Sequence, residues 1–121
     1  MFTISVETHF QASHQLILPD GSKEPQHSHE WLVKASLSSN KLNNIGIVMN
    51  FHKLQQLLGN CIAELDNTAL EQVNHFRQNN ATAENVAKYI YDKLKSRLPQ
   101  GVKLRSIKVI EAPGCAAKYW E

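Results

Sequence analysis

The sequence predicts an α+β domain in which four antiparallel strands carry two helices on one face, in the order β–β–α–α–β–β. Three observations predict it. Apolar and polar residues alternate at both ends of the chain, two apolar stripes with helical spacing fill the middle, and turn-forming residues punctuate the joins.

The first strand is the clearest element. Phe2, Ile4, Val6, Phe10 and Ala12 share one parity, and Thr3, Ser5, Glu7, His9 and Gln11 the other, as in a half-buried antiparallel strand. Pro19-Asp20-Gly21-Ser22 is a turn signal. A second strand runs from about His27 to Ser38, with Trp31, Val33, Ala35 and Leu37 on its apolar parity. The two strands form a hairpin with a long connection, the kind of loop that carries function.

After a loop over 39–46, Asn50 is placed to cap a helix. Its stripe is Phe51, Leu54, Leu57, Leu58, Cys61, Ile62 and Leu65. Thr82 caps a second, with Val86, Ala87, Ile90, Leu94 and Leu98 as the stripe and Pro99-Gln100-Gly101 as the stop. Two further strands, Val102 to Glu111 and Ala116 to Trp120, are joined through Ala112-Pro113-Gly114. An open four-stranded sheet exposes two edges, which proteins pair or protect; here they are expected to join neighbouring subunits.

The bulk numbers agree with one domain spanning 1–121. A chain of 121 residues, 42% hydrophobic and 20% charged, buries a core without disulfides. A net charge of +2 is too small to argue for a nucleic-acid partner. Cys61 lies on a helix's apolar face, which favours a buried free thiol, and with Cys115 makes no disulfide scaffold. The first ten residues alternate and lack the apolar core of a signal peptide, and no apolar run reaches membrane-spanning length. The chain is expected to be soluble and cytoplasmic.

Three of the six histidines form a pattern. Residues i and i+2 of a strand point the same way, so His27 and His29 converge on the covered side with Trp31 and Val33. His14 shares parity with Phe10 and Ala12, and a hairpin brings it beside the pair. Three imidazoles with an open fourth position are the donor set of a catalytic zinc site. A lone His-x-His pair is more often incidental; it is His14 on the same face that adds weight. His9 falls on the polar parity, and His52 and His75 lie outside the cluster.

Phe10-Gln11-Ala12-Ser13-His14, His27-Ser28-His29, Gly46-Ile47-Val48-Met49-Asn50-Phe51, Leu65-Asp66-Asn67, Thr82-Ala83-Glu84-Asn85 and Val109-Ile110-Glu111 occur in that order. Together they resemble the family of 6-pyruvoyltetrahydropterin synthase and 6-carboxytetrahydropterin synthase, over nearly the whole chain. The resemblance implies the tunnelling fold (T-fold), with three sheets joined edge to edge into a barrel and two trimers stacked into a homohexamer with intersubunit active sites. It implies a lyase acting on 7,8-dihydroneopterin triphosphate or a related pterin, with Zn2+ on His14, His27 and His29. It implies Glu111 as the anchor of the pterin ring, since a carboxylate can accept two parallel hydrogen bonds. Thr82 and Glu84 are candidates for the same pocket, although capping and first-turn charge account for them equally well.

The chain departs from the pattern at the acid–base residues. Lys23 stands where the family has a catalytic cysteine, Asn67 where it has a histidine, and Asn50 where it has an aspartate. Asparagine is no general base near neutral pH. Two carboxylates remain as catalytic candidates. Glu24, in Glu-x-x-His-x-His, resembles a subgroup in which glutamate replaces the cysteine and the product is 6-hydroxymethyl-7,8-dihydropterin; a solvated loop glutamate is the plainer reading. Asp66 orients a partner or simply ends the helix.

Overall fold

The computed structural model describes residues 1–121. In chain order its elements are β1 (Phe2–His14), β2 (His27–Ser39), α1 (Phe51–Ile62), β3 (Thr68–Ala69), a 3-10 turn (Leu70–Gln72), α2 (Asn74–Gln78), α3 (Ala83–Lys95), β4 (Lys103–Ala112) and β5 (Cys115–Tyr119). The four expected strands and two expected helices are present. The short strand β3, the 3-10 turn and the short helix α2 are additions between the two long helices, so the expected four-stranded, two-helix layout becomes five strands and three helices. Two residues of strand and one and a half turns of helix are too short to leave a periodicity in sequence.

The sheet order is β3-β1-β2-β4-β5, and every neighbouring pair is antiparallel except β1 with β3. β3 covers only Ala12 and Ser13, so most of β1 remains an open edge, as does the outer side of β5. The β1–β2 register sets Phe10 opposite Trp31, Ala12 opposite His29 and His14 opposite His27. One face of this ladder is thus apolar in the middle and histidine-rich at one end.

Both helix caps form as expected. Asn50 Oδ1 accepts from Lys53 N at 3.0 Å, and Thr82 Oγ1 from Asn85 N at 3.1 Å, each satisfying an otherwise orphaned first-turn amide. Leu54, Leu58, Cys61 and Ile62 of α1, with Val86, Ala87, Ile90 and Leu94 of α3, close over Val33, Ala35, Leu37, Ile107 and Val109 of the sheet. Truncating a residue such as Leu58 to alanine would cost about 2–5 kcal/mol. Cys61 is a buried free thiol, and burial raises its pKa despite the nearby Arg97.

Two residues of the expected stripes are not core. Phe2 and Phe51, the first residues of β1 and α1, are exposed. With Ile4, Leu42, Ile47 and Val48 they line an apolar cleft of about 480 Å³ beside the open edge of β1. No helix is long and apolar enough to cross a membrane.

Candidate metal centre and active site

The centre is built from two strand ends and a bulge. His14 ends β1 and His27 begins β2 directly opposite; His29 follows two residues along the same face. Ring centroids lie 4.3 Å apart for His14–His27, 4.7 Å for His27–His29 and 5.3 Å for His14–His29. Trp31, the next residue of that parity, is fully buried and forms the floor, 5.0 Å from the His14 ring. Its indole N–H donates to Ala12 O at 3.1 Å, which leaves no orphaned donor beneath the cluster.

Backbone carbonyls turn two of the rings. His14 Nδ1 bonds Ala81 O at 2.7 Å and His27 Nδ1 bonds Pro25 O at 3.0 Å. A carbonyl only accepts, so each Nδ1 carries a hydrogen, and in the neutral ring each Nε2 keeps its lone pair. Outer hydrogen bonds of this kind are the usual support of metal-binding histidines. Burial lowers the pKa of His29, against the opposing pull of Glu111, and the two neighbouring imidazoles lower it further. A neutral His29 is the form that binds a cation.

Glu111 completes the group. The β4–β5 register shifts between Ile110 and Ala112, so Glu111 is the extra residue of a bulge, a device that re-aims a side chain. The hairpin beyond it turns through Pro113 and Gly114, whose φ of +81° suits the third position of a type II turn. Glu111 Oε1 reaches to 2.8 Å from His14 Nε2 and 4.0 Å from His29 Nε2. One donor atom from each of His14, His27, His29 and Glu111 lies within 4.8 Å of the others. Such a convergent N3O set fits a zinc-like divalent ion.

The remaining site residues fall differently. Glu24 is partly buried, its Oε1 accepting from Leu16 N at 3.2 Å and standing 3.8 Å from His27 Nδ1. The connection that carries it is folded: Ile17 bridges to Lys23, and Glu24 N donates to Leu16 O. Asp66 is exposed, accepts from Gln11 N at 2.9 Å and makes no ion pair with a histidine. Thr82 caps α3, and Glu84 is exposed in its first turn. His9, His52 and His75 are exposed and outside the cluster.

Three supports of the site leave little trace in the sequence. Ala81 contributes only a carbonyl, and Trp31 reads simply as core. Asn80 clamps the 15–26 connection by exchanging two hydrogen bonds with the Ile17 backbone, each 2.9 Å. Only Asn80 had a signal, as a polar residue just before a helix.

The model of the 6-pyruvoyl tetrahydropterin synthase family matches residues 3–121. The chain belongs to this family. Among relatives, a 6-carboxy-5,6,7,8-tetrahydropterin synthase of Synechocystis sp. is 28% identical over 99% of this chain and 94% of its own. A dihydroneopterin monophosphate aldolase of Pyrococcus furiosus is 33% identical over 54% of each chain. Among solved structures, 6-pyruvoyl tetrahydropterin synthase of Caenorhabditis elegans superposes with a TM-score of 0.87 at 24% identity, covering 99% of this chain and 95% of that one. The fold is accordingly the family's T-fold, and the family's business is processing of pterin side chains.

Proposed function

We propose that the protein is a zinc-dependent lyase that cleaves the side chain of 7,8-dihydroneopterin triphosphate or a closely related pterin. The observation that carries this reading is the convergence of three imidazoles, two of them tautomerically set by carbonyls, with a second carboxylate, Glu24, beside His27. Zinc, when bound, would polarise a side-chain hydroxyl and stabilise developing negative charge. Glu24 is the base: it is partly desolvated and held by the Leu16 amide, and it takes the proton that the missing cysteine and histidine would otherwise handle. Glu111 receives the pterin ring, and Thr82 and Glu84 flank the pocket. The start of α3 adjoins Ala81, whose carbonyl holds His14. Asp66 is a positioning residue: its grip on the Gln11 amide steadies the strand three residues before His14.

Glu24 favours one product class, a 6-hydroxymethyl-7,8-dihydropterin, and the partial similarity to an aldolase supports the same choice. The open edges of β1 and β5 and the apolar cleft beside β1 support a homohexamer of stacked trimers with intersubunit sites. The test is a panel of dihydropterin substrates incubated with zinc-loaded protein and resolved by chromatography. Hydroxymethyl product that disappears with Glu24→Ala, while pterin binding persists, is the expected result. Tight pterin binding with no consumption of any substrate would replace the lyase by a zinc- and pterin-binding member without turnover.

A further inference from the structure

Two roles converge on one carboxylate. The ring-anchoring role needs both oxygens of Glu111 facing a pterin, yet one of them is turned onto the imidazoles. The contact with His14 is the informative one. Its Nδ1 hydrogen is committed to Ala81 O, so in the neutral ring, the form that binds a metal, Nε2 presents a lone pair. That Nε2 is buried without a hydrogen-bond partner, in a residue only 1% exposed, although Glu111 Oε1 stands 2.8 Å away. Two lone-pair atoms this close and out of hydrogen-bond alignment repel each other unless a cation lies between them. In a tetrahedral zinc site, ligand atoms about 2.0–2.1 Å from the ion sit about 3.3 Å from one another. The 2.8 Å and 4.0 Å separations bracket that value. The Glu111 side chain makes no hydrogen bond to any other residue, so nothing beyond the imidazoles holds the carboxylate where it is.

We propose that Glu111 is an exchangeable fourth metal ligand. It closes the coordination sphere while the pterin pocket is empty, and leaves it when a pterin ring engages both of its oxygens. This rests on the metal-dependent reading above and deepens it. Because one carboxylate cannot serve the ion and the ring together, ring binding itself opens a coordination position as the side chain arrives beside it. Ring recognition and metal activation are thereby coupled, and a molecule lacking the ring leaves the ion closed.

The test uses the full-length protein loaded with cobalt(II), whose visible spectrum reports coordination. Unsubstituted pterin, a ring with no side chain to reach the ion, is titrated in. The expected result is a spectral change in the parent protein and none in Glu111→Gln. In chelator competition, Glu111→Gln should also bind zinc about tenfold or more weakly. A parent spectrum indifferent to pterin, or a variant holding zinc as tightly with an unchanged cobalt spectrum, overturns the proposal. The pterin titration needs the parent alone, so it decides even if the variant does not fold. A parent that takes up neither cobalt nor zinc sinks the metal-dependent reading itself. A parent that takes up metal and turns over a pterin, but shows no dependence on Glu111, sinks only this inference.

Discussion

Two segments flank the end of β1 that carries His14, and each brings a carboxylate to it. The 15–26 connection folds back on itself, is clamped by Asn80, and presents Glu24 within 3.8 Å of His27 Nδ1. The 63–69 segment runs along the other side of β1, and its Asp66 meets the Gln11 amide in the plane of the sheet. Asn67 N–H then donates to Gln11 O, so the two residues cap the open strand edge where β3 begins. Both carboxylates accept from a backbone amide, Glu24 from Leu16 N and Asp66 from Gln11 N, but only Glu24 also stands beside an imidazole. The difference follows from what each segment borders: the 15–26 connection closes the hairpin that carries His14 and His27, whereas Asp66 serves an open strand edge that demands partners for its amides and carbonyls.

The largest expected effect removes what both segments serve. His27→Ala should weaken zinc binding by more than about a hundredfold, since a ligand matters at least as much as its outer hydrogen bonds; chelator competition measures it. Unchanged affinity would mean that the imidazoles do not act together.

Glu24→Gln separates the two carboxylates. The side-chain shape survives, so zinc should stay bound while turnover falls by about 10²–10⁴, the usual contribution of a general base. Metal content and steady-state rate on the same sample check this, and a rate within about twofold of the parent would make Glu24 merely structural.

Asp66→Asn should do the reverse. The amide still accepts from Gln11 N but without its charge, so stability falls by about 1 kcal/mol and the Tm by a few degrees, with metal affinity retained. A collapse in turnover with an unmoved Tm would break the contrast and move Asp66 into the chemistry.

The smallest effect tests the turn. Asn67 has a φ of +59°, a left-handed conformation that asparagine tolerates and a β-branched residue resists. Asn67→Val should therefore cost about 1 kcal/mol, read as a lower denaturation midpoint.

Much of the fold is legible in the chain's residue pattern because two periodicities carry it. The period of two in β1 and β2 puts His14, His27, His29, Trp31 and Val33 on one face, and the period in β4 adds Glu111. Asn50 and Thr82 announce both helix starts through their oxygens. Where the pattern misleads, at Phe2 and Phe51, periodicity names a face but not how far along the element that face is covered.

Which side chains share a surface is already written in the residue order, because backbone geometry makes facing a local property of spacing. Which of them meet depends on the folded chain. Glu111 reaches His14 through a bulge, Ala81 turns that ring with a carbonyl that every residue possesses, and Glu24 and Asp66 part company through contacts with Leu16 and Gln11. These are long-range contacts or backbone hydrogen bonds, and neither leaves a periodic mark in the residues that make them.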